Sequence, residues 1–270
     1  MTASLHEQFS RLRSQGEGAL IGYITLGDPS PAESLAIAQS LIDSGAVDVL
    51  ELGIPFSDPI ADGPVIQAAV DRALEAGMNT DLAFEIAASL NKKVPIVYLT
   101  YYNIVLQYGI ERFMASCATA GVSGLIVADL PMEESAEVRA ACKRYGVDYI
   151  NIVTPNTSPE RMIEILRGSS GFAYLVSVMG VTGKRKALSG GLGEVVDRAR
   201  LAAGDTPVAV GFGISGPQQV RDVIAMGADG AIVGSAIVDM IARGATVEGL
   251  KEFVRALKAA TKTLPIEVKK

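Results

Sequence analysis

The chain has 270 residues, 49% hydrophobic and 20% charged, enough for one large α/β domain with a substantial core. A net charge of −6 and a pI near 5.0 argue against a nucleic-acid or anionic-membrane partner, and no apolar run is long enough to span a bilayer. The two cysteines, Cys117 and Cys142, have no metal-like spacing and read as buried structural thiols of a reducing, cytoplasmic setting.

The opening stretch MTASLHEQFSRLR carries Leu5, Phe9 and Leu12 at helical spacing, which predicts a short amphipathic helix and lacks the apolar stretch of a signal peptide. Eight short apolar runs follow, at 20–25, 47–52, 95–100, 124–130, 149–154, 172–178, 207–212 and 230–234, separated by amphipathic stretches of helical period. Helix starts are marked by Ser30-Pro31-Ala32-Glu33, Ser158-Pro159-Glu160 and Ser215-Gly216-Pro217-Gln218, and helix ends by Gly45, Gly121, Gly146 and Gly227. Eight such units predict a single (β/α)₈ TIM barrel over 1–270, an α/β fold with additional N-terminal and loop helices, one of them at 79–90. An open doubly wound sheet would usually show a GxGxxG turn after its first strand; here that turn is Leu26-Gly27-Asp28-Pro29.

The second unit, VDVLELGIPFSDPIADGP at 47–64, is the most informative. Period-2 geometry puts Val47, Val49 and Glu51 on one face and Asp48, Leu50 and Leu52 on the other. A carboxylate inside an apolar strand is costly unless it is paired, so Glu51 needs a reason to be there. Eleven residues later Asp62 stands where the next helix begins, either as a helix cap or as the second member of an acid/base pair. Asp129, at the end of the fourth run, is a third carboxylate near the same face and reads as a structural partner.

The last two units carry the signature of a phosphate site. The seventh run leads into Gly211-Phe212-Gly213-Ile214-Ser215 and the eighth into Gly234-Ser235, followed by a short helix at 236–241. Loops in these positions, with glycines that let backbone N–H groups approach an anion, bind phosphate in many barrels. A further glycine loop, Gly180-Val181-Thr182-Gly183, follows the sixth run; the basic triplet Lys184-Arg185-Lys186 beyond it reads as solvated. The single histidine, His6, lies in the N-terminal helix, and no lysine lies inside a predicted strand. That leaves no imidazole relay and no Schiff-base candidate, and no cluster suggests a metal, so carboxylate proton transfer without a cofactor remains.

Taken together, YITLGDP, LELGIPFSDPIADGPVIQ, GVTG, GFGIS and VGSAIV resemble, in order and across residues 22–238, the α-subunit family of tryptophan synthase. The resemblance implies a lyase that cleaves indole-3-glycerol phosphate to indole and glyceraldehyde 3-phosphate. It makes Glu51 and Asp62 the catalytic pair, with an apolar mouth raising Glu51 to roughly 6–7 so that it serves as both acid and base. It places Tyr23, Leu99, Tyr101, Ala128, Tyr174, Thr182, Phe212 and Ile232 around the indole and glycerol, and Gly183, Gly213, Gly234 and Ser235 around the phosphate. Pro55, Ser57, Asp58 and Asn103 would face a β subunit in an αββα complex, where the partner holds pyridoxal phosphate and this chain holds no cofactor. Tyr23 departs from the family, where phenylalanine is familiar, and its hydroxyl needs a partner or water. Two rival readings stay open on the residues alone: another phosphate-binding barrel acting on a phosphoribosyl intermediate, and a silent subunit that only activates a partner.

Overall fold

The computed structural model describes residues 4–176, 188–211 and 213–262. Strands β1 (Ala19–Thr25), β2 (Val49–Gly53), β3 (Ile96–Thr100), β4 (Gly124–Val127), β5 (Asp148–Tyr149), β6 (Ile152–Val153), β7 (Ala173–Val176), β8 (Val208–Gly211) and β9 (Gly230–Val233) pair in parallel in the order β5-β4-β3-β2-β1-β9-β8-β7-β6. The two ends of that order, β5 and β6, are consecutive in the chain. Between them Ile150 N–H donates to Leu125 O at 2.9 Å and Asn151 O accepts from Tyr174 N–H at 3.0 Å. The expected fifth strand therefore has its first half on β4 and its second half on β7, and this closes the eight-unit TIM barrel.

The strands are buried on both faces, and each face has its own core. Leu20, Ile24, Leu50, Leu52, Ile96, Tyr98, Leu125, Leu175, Val210 and Val233 point outward to the helices. Ile21, Val49, Val97, Ile126, Ile150, Phe172, Ala209 and Ile232 fill the interior. Helix α1 (Leu5–Ser14) plugs the N-terminal end with Leu5, Phe9 and Leu12, Phe9 lying 5.8 Å from the Phe172 ring. This is the amphipathic face expected from the sequence. Val47 is a correction: it precedes β2 and packs in the outer core, so the alternation begins at Val49.

Most of the helix signals act as read. Ser30 caps α2 (Pro31–Asp43): its hydroxyl oxygen accepts the Glu33 N–H at 3.3 Å and its hydroxyl donates to the Glu33 carboxylate at 2.6 Å, so Ser30 and Glu33 pair as the sequence expects without the backbone half of a capping box. The extra helix α4 (Thr80–Ser89), which follows α3 (Pro64–Glu75), is capped by Asn79. Next come α5 (Tyr102–Tyr108), a short helix the sequence did not announce, α6 (Ile110–Ala120) and α7 (Ala136–Tyr145). Cys117 and Cys142 are buried and free on α6 and α7, and burial pushes the Cys142 thiol up to about 12. Both sit as unreactive core groups. The remaining helices are α8 (Pro159–Leu166), α9 (Leu188–Ala203), α10 (Pro217–Ala225), α11 (Ser235–Ala242) and α12 (Val247–Ala259). For α10, Gly216 and not Ser215 is the N-cap. Among the described residues no helix is long and apolar enough to cross a membrane.

One ion pair fixes the frame that carries the site. Asp28, in the loop after β1, is buried and accepts from Arg72 Nε and Nη2 of α3 at 2.8 and 2.9 Å. This two-pronged bond ties the first loop to the helix that follows Asp62. Arg72→Ala is expected to lower stability by about 2–3 kcal/mol, because it leaves a buried carboxylate unpaired. Denaturant unfolding of the variant checks this; a loss below about 0.5 kcal/mol would mean that water replaces the guanidinium without cost.

Candidate active site

Strand alternation continues past the inner core towards the C-terminal ends of the strands, and there it turns polar. Tyr23 of β1 and Glu51 of β2 are direct register partners, and Leu99 and Tyr174 extend the same interior face. They surround a cavity of about 220 Å³ lined by Tyr23, Glu51, Asp62, Ile66, Leu99, Tyr174, Val176, Gly211, Gly213, Ile232, Gly234 and Ser235. The expected catalytic pair, four of the expected wall residues and three of the expected phosphate residues thus meet in one place. Ala128 and Tyr101 are not in its lining. Thr182, Gly183 and Phe212 lie outside the described residues, as does the triplet at 184–186.

The shape of the floor depends on two close approaches of ring to backbone. A Cβ on Gly53 would lie 2.2 Å from the Tyr23 hydroxyl, and one on Gly211 would lie 2.5 Å from the ring and hydroxyl of Tyr174. Each tyrosine lies against a glycine at the C-terminal end of a neighbouring strand, so a Cβ in either place would force the ring to move. The Tyr23 hydroxyl finds the partner it needs in Thr25 Oγ1 at 3.2 Å.

Two buried carboxylates near the same strand show what is unusual about Glu51. Asp48, just before β2, takes Leu20 N–H and Lys258 Nζ, each at 2.8 Å, with Arg11 at 3.9 Å. Glu51 is 1% exposed, and its Oε2 has no hydrogen-bond partner among the described residues. Burial, with the charge of Asp62 as a second cause, pushes its carboxyl up to about 8. This exceeds the value expected from the sequence, because no hydrogen bond or cation among the described residues offsets the burial. At neutral pH Glu51 is mostly a neutral acid.

Asp62 is held differently. It lies on the loop 54–63, and the N-cap of α3 is Gly63, which makes no side-chain cap bond. The helix-cap reading of the Asp62 carboxylate is therefore corrected: Oδ2 accepts from the Tyr101 hydroxyl at 3.0 Å, and its backbone carbonyl accepts from Gln67 Nε2 at 2.9 Å. Burial raises its pKa and the Tyr101 hydrogen bond lowers it. Asp129 is structural: its Oδ1 accepts the Tyr102 N–H at 2.7 Å, at the start of α5.

At the loop expected to hold phosphate, β9 leads through Gly234 into α11, whose N-terminus has no side-chain cap. Gly213, Gly234 and Ser235 line the cavity that also contains Glu51 and Asp62. Of the residues expected to meet a partner, Ser57, Asp58 and Asn103 are exposed, whereas Pro55 is buried and offers little surface. Ile66, Val176 and Gly211 line the cavity without having been singled out as wall residues. The helical spacing after Pro64 was the available signal for Ile66. Among the described residues no group of three or more His, Cys, Asp or Glu side chains is placed to hold a metal.

The family model for the tryptophan synthase alpha chain matches residues 9–268. The tryptophan synthase alpha chain of Methanosarcina acetivorans is 47% identical over 256 residues, 94% of this chain and 93% of that one. The corresponding chain of Trichormus variabilis is 46% identical over 268 residues, 97% of this chain and 100% of that one. Among solved structures, a tryptophan synthase chain of Mycobacterium tuberculosis superposes with a TM-score of 0.89 at 34% identity, covering 98% and 100% of the two chains. The tryptophan synthase subunit alpha of Legionella pneumophila does so at 0.87 and 31%, with the same coverage.

Proposed function

The chain belongs to the tryptophan synthase α-chain family and is a lyase that cleaves indole-3-glycerol phosphate to indole and glyceraldehyde 3-phosphate; on that premise we propose that Glu51 and Asp62 carry its proton chemistry. The observation that carries this assignment is the buried Glu51 carboxyl, whose Oε2 has no hydrogen-bond partner among the described residues and whose pKa is pushed up to about 8, facing the same cavity as a second carboxylate.

Carbon–carbon cleavage first needs a better leaving group. Glu51 delivers its proton to ring C3, giving an indolenine-like cation. Asp62 pairs with the ring N–H and stabilises the charge that develops there. The resulting Glu51 carboxylate then accepts the proton of the C3′ hydroxyl as the bond between C3 and C3′ breaks. The bond electrons return to the ring as indole, the aldehyde forms on the other fragment, and Glu51 regains its proton. A group near pH 8 suits both halves, because it gives a proton readily in one step and takes one in the next.

The rest of the cavity fits the ligand. Tyr23, Leu99, Tyr174 and Ile232, with Ile66 and Val176, make walls for a flat apolar ring, and Gly213, Gly234 and Ser235 receive the phosphate. Ser57, Asp58 and Asn103 lie on the surface that meets a β subunit in an αββα assembly, with the pyridoxal cofactor in the partner and a cytoplasmic setting. The phosphoribosyl-barrel reading loses ground, since it has no use for a buried acid in the second strand facing Asp62.

Indole release from indole-3-glycerol phosphate, measured beside its dephosphorylated analogue and with and without a tryptophan synthase β subunit, tests this reading. The phosphorylated substrate is expected to be cleaved at least ~10-fold more efficiently, since remote binding energy is used at the reacting centre. Addition of β is expected to accelerate release. Equal use of both substrates would remove the phosphate assignment, and no release in any combination would return the silent-subunit reading.

A further inference from the structure

The resemblance made Tyr101 a wall of the substrate pocket, yet it does not line the cavity. Its side chain is instead engaged at three points by the loop that carries Asp62. The ring stacks on Phe56, with centroids 5.2 Å apart and planes inclined by 29°. The hydroxyl accepts the Ala61 N–H at 3.1 Å and donates to Asp62 Oδ2 at 3.0 Å. Phe56 and Ala61 bracket the exposed stretch of Ser57, Asp58 and Ile60, the last of these 82% exposed. Tyr101 is itself fixed from below. It is buried, it follows β3 directly, and it is the N-cap residue of α5, whose first N–H is held by Asp129.

We propose that Tyr101 is a positioning residue that clamps the 54–63 loop and aims the Asp62 carboxylate into the cavity. The hydroxyl has one proton, and Ala61 N–H occupies its acceptor side, so that proton is directed to Asp62. This fixes one carboxylate oxygen and leaves the other for substrate. Because both flanks of the exposed stretch meet on one tyrosine, pressure on Ser57, Asp58 or Ile60 from a docked partner reaches Asp62 through the same side chain. The groups that face Asp62 are Glu51 of β2, Tyr23 of β1, Tyr174 of β7 and Tyr101 itself; no cation among the described residues contributes to its shift.

The inference rests on the catalytic role proposed for Asp62, so the test includes Asp62→Asn. Tyr101→Phe keeps the ring on Phe56 and removes only the hydroxyl; thermal unfolding close to that of the parent chain establishes that it is folded. Its kcat for indole release is expected to fall about 10- to 100-fold, the scale for a misplaced group, with KM changed by less than about 3-fold. The acid limb of its kcat profile is expected to move to higher pH, since the lost hydrogen bond had favoured the ionised carboxylate. In the double variant Tyr101→Phe with Asp62→Asn, the two losses should not multiply. A Tyr101→Phe enzyme with unchanged kcat and acid limb, beside an impaired Asp62→Asn, overturns the positioning role and leaves the catalytic pair intact. A rise in KM with unchanged kcat returns Tyr101 to the pocket wall. An active Asp62→Asn removes the catalytic reading itself.

Discussion

Replacing Glu51 with glutamine is expected to leave the barrel folded and to lower indole release by at least ~10²-fold, the lower scale for a lost general acid–base group. Glutamine keeps the length and planarity of the side chain and supplies no transferable proton, so the loss falls on kcat. The variant also carries a signature in stability that a bystander would lack. The unfolded carboxyl gives up its proton near 4.5 and the folded one near 8. Across that window the folded state holds the extra proton, so raising the pH costs stability. Glutamine cannot pay this penalty, and the unfolding temperature of Glu51→Gln relative to the parent chain should rise between about pH 5 and about pH 8. Activity of the parent chain is expected to fall above about pH 8, where the acid form is depleted. Near-normal turnover by the variant would remove Glu51 from the mechanism. A flat stability difference would mean that the carboxyl is better solvated than its burial implies.

How much of this was legible in the chain differs from residue to residue, for physical reasons. Glu51 was visible because a carboxylate in an apolar run contradicts its own neighbourhood, and strand alternation put it on one face with Val49, the face that the closed barrel makes its interior. The eight units were legible because buried parallel strands read as continuous apolar runs, and the α4 helix announced itself through Asn79. Other features were invisible because they depend on contacts between distant segments. The Tyr101–Asp62 hydrogen bond spans 39 residues, and no local pattern encodes it. Gly53 and Gly211 looked like ordinary turn glycines until the rings of Tyr23 and Tyr174 were found lying against them. Val47 was misassigned because alternation holds only once the strand is paired, and pairing begins at Val49. Of the pocket residues that the family resemblance implied, Tyr23, Leu99, Tyr174 and Ile232 line one cavity with Glu51 and Asp62. The resemblance could not tell that Tyr101 lies outside that lining, against Phe56, Ala61 and Asp62 of the 54–63 loop.

Asp62→Asn is expected to fold normally and to lose indole release by about 10²- to 10³-fold, the scale for removing one stabilising group from a developing charge. Folding should survive because Gly63, not Asp62, caps α3, and because the backbone carbonyl that accepts from Gln67 is unchanged by the substitution. The Tyr101 hydroxyl can still donate to the asparagine carbonyl oxygen, so the loop keeps its clamp. What is lost is the negative charge. In a cavity walled by Tyr23, Leu99, Tyr174 and Ile232, with Glu51 mostly neutral, Asp62 is the anion available to an indolenine-like cation. A neutral amide offers only a dipole, and in a low-dielectric pocket that difference is large. The ground-state substrate carries no charge on its ring, so KM should change little while kcat falls. Lowering the pH titrates the same group and should mimic the substitution in the parent chain, with no acid limb of this origin in the variant. Steady-state kinetics of indole release against pH, on both proteins, checks each part. If the variant instead unfolds, the carboxylate is a structural anchor of the loop, and the charge-stabilising role assigned to it is wrong.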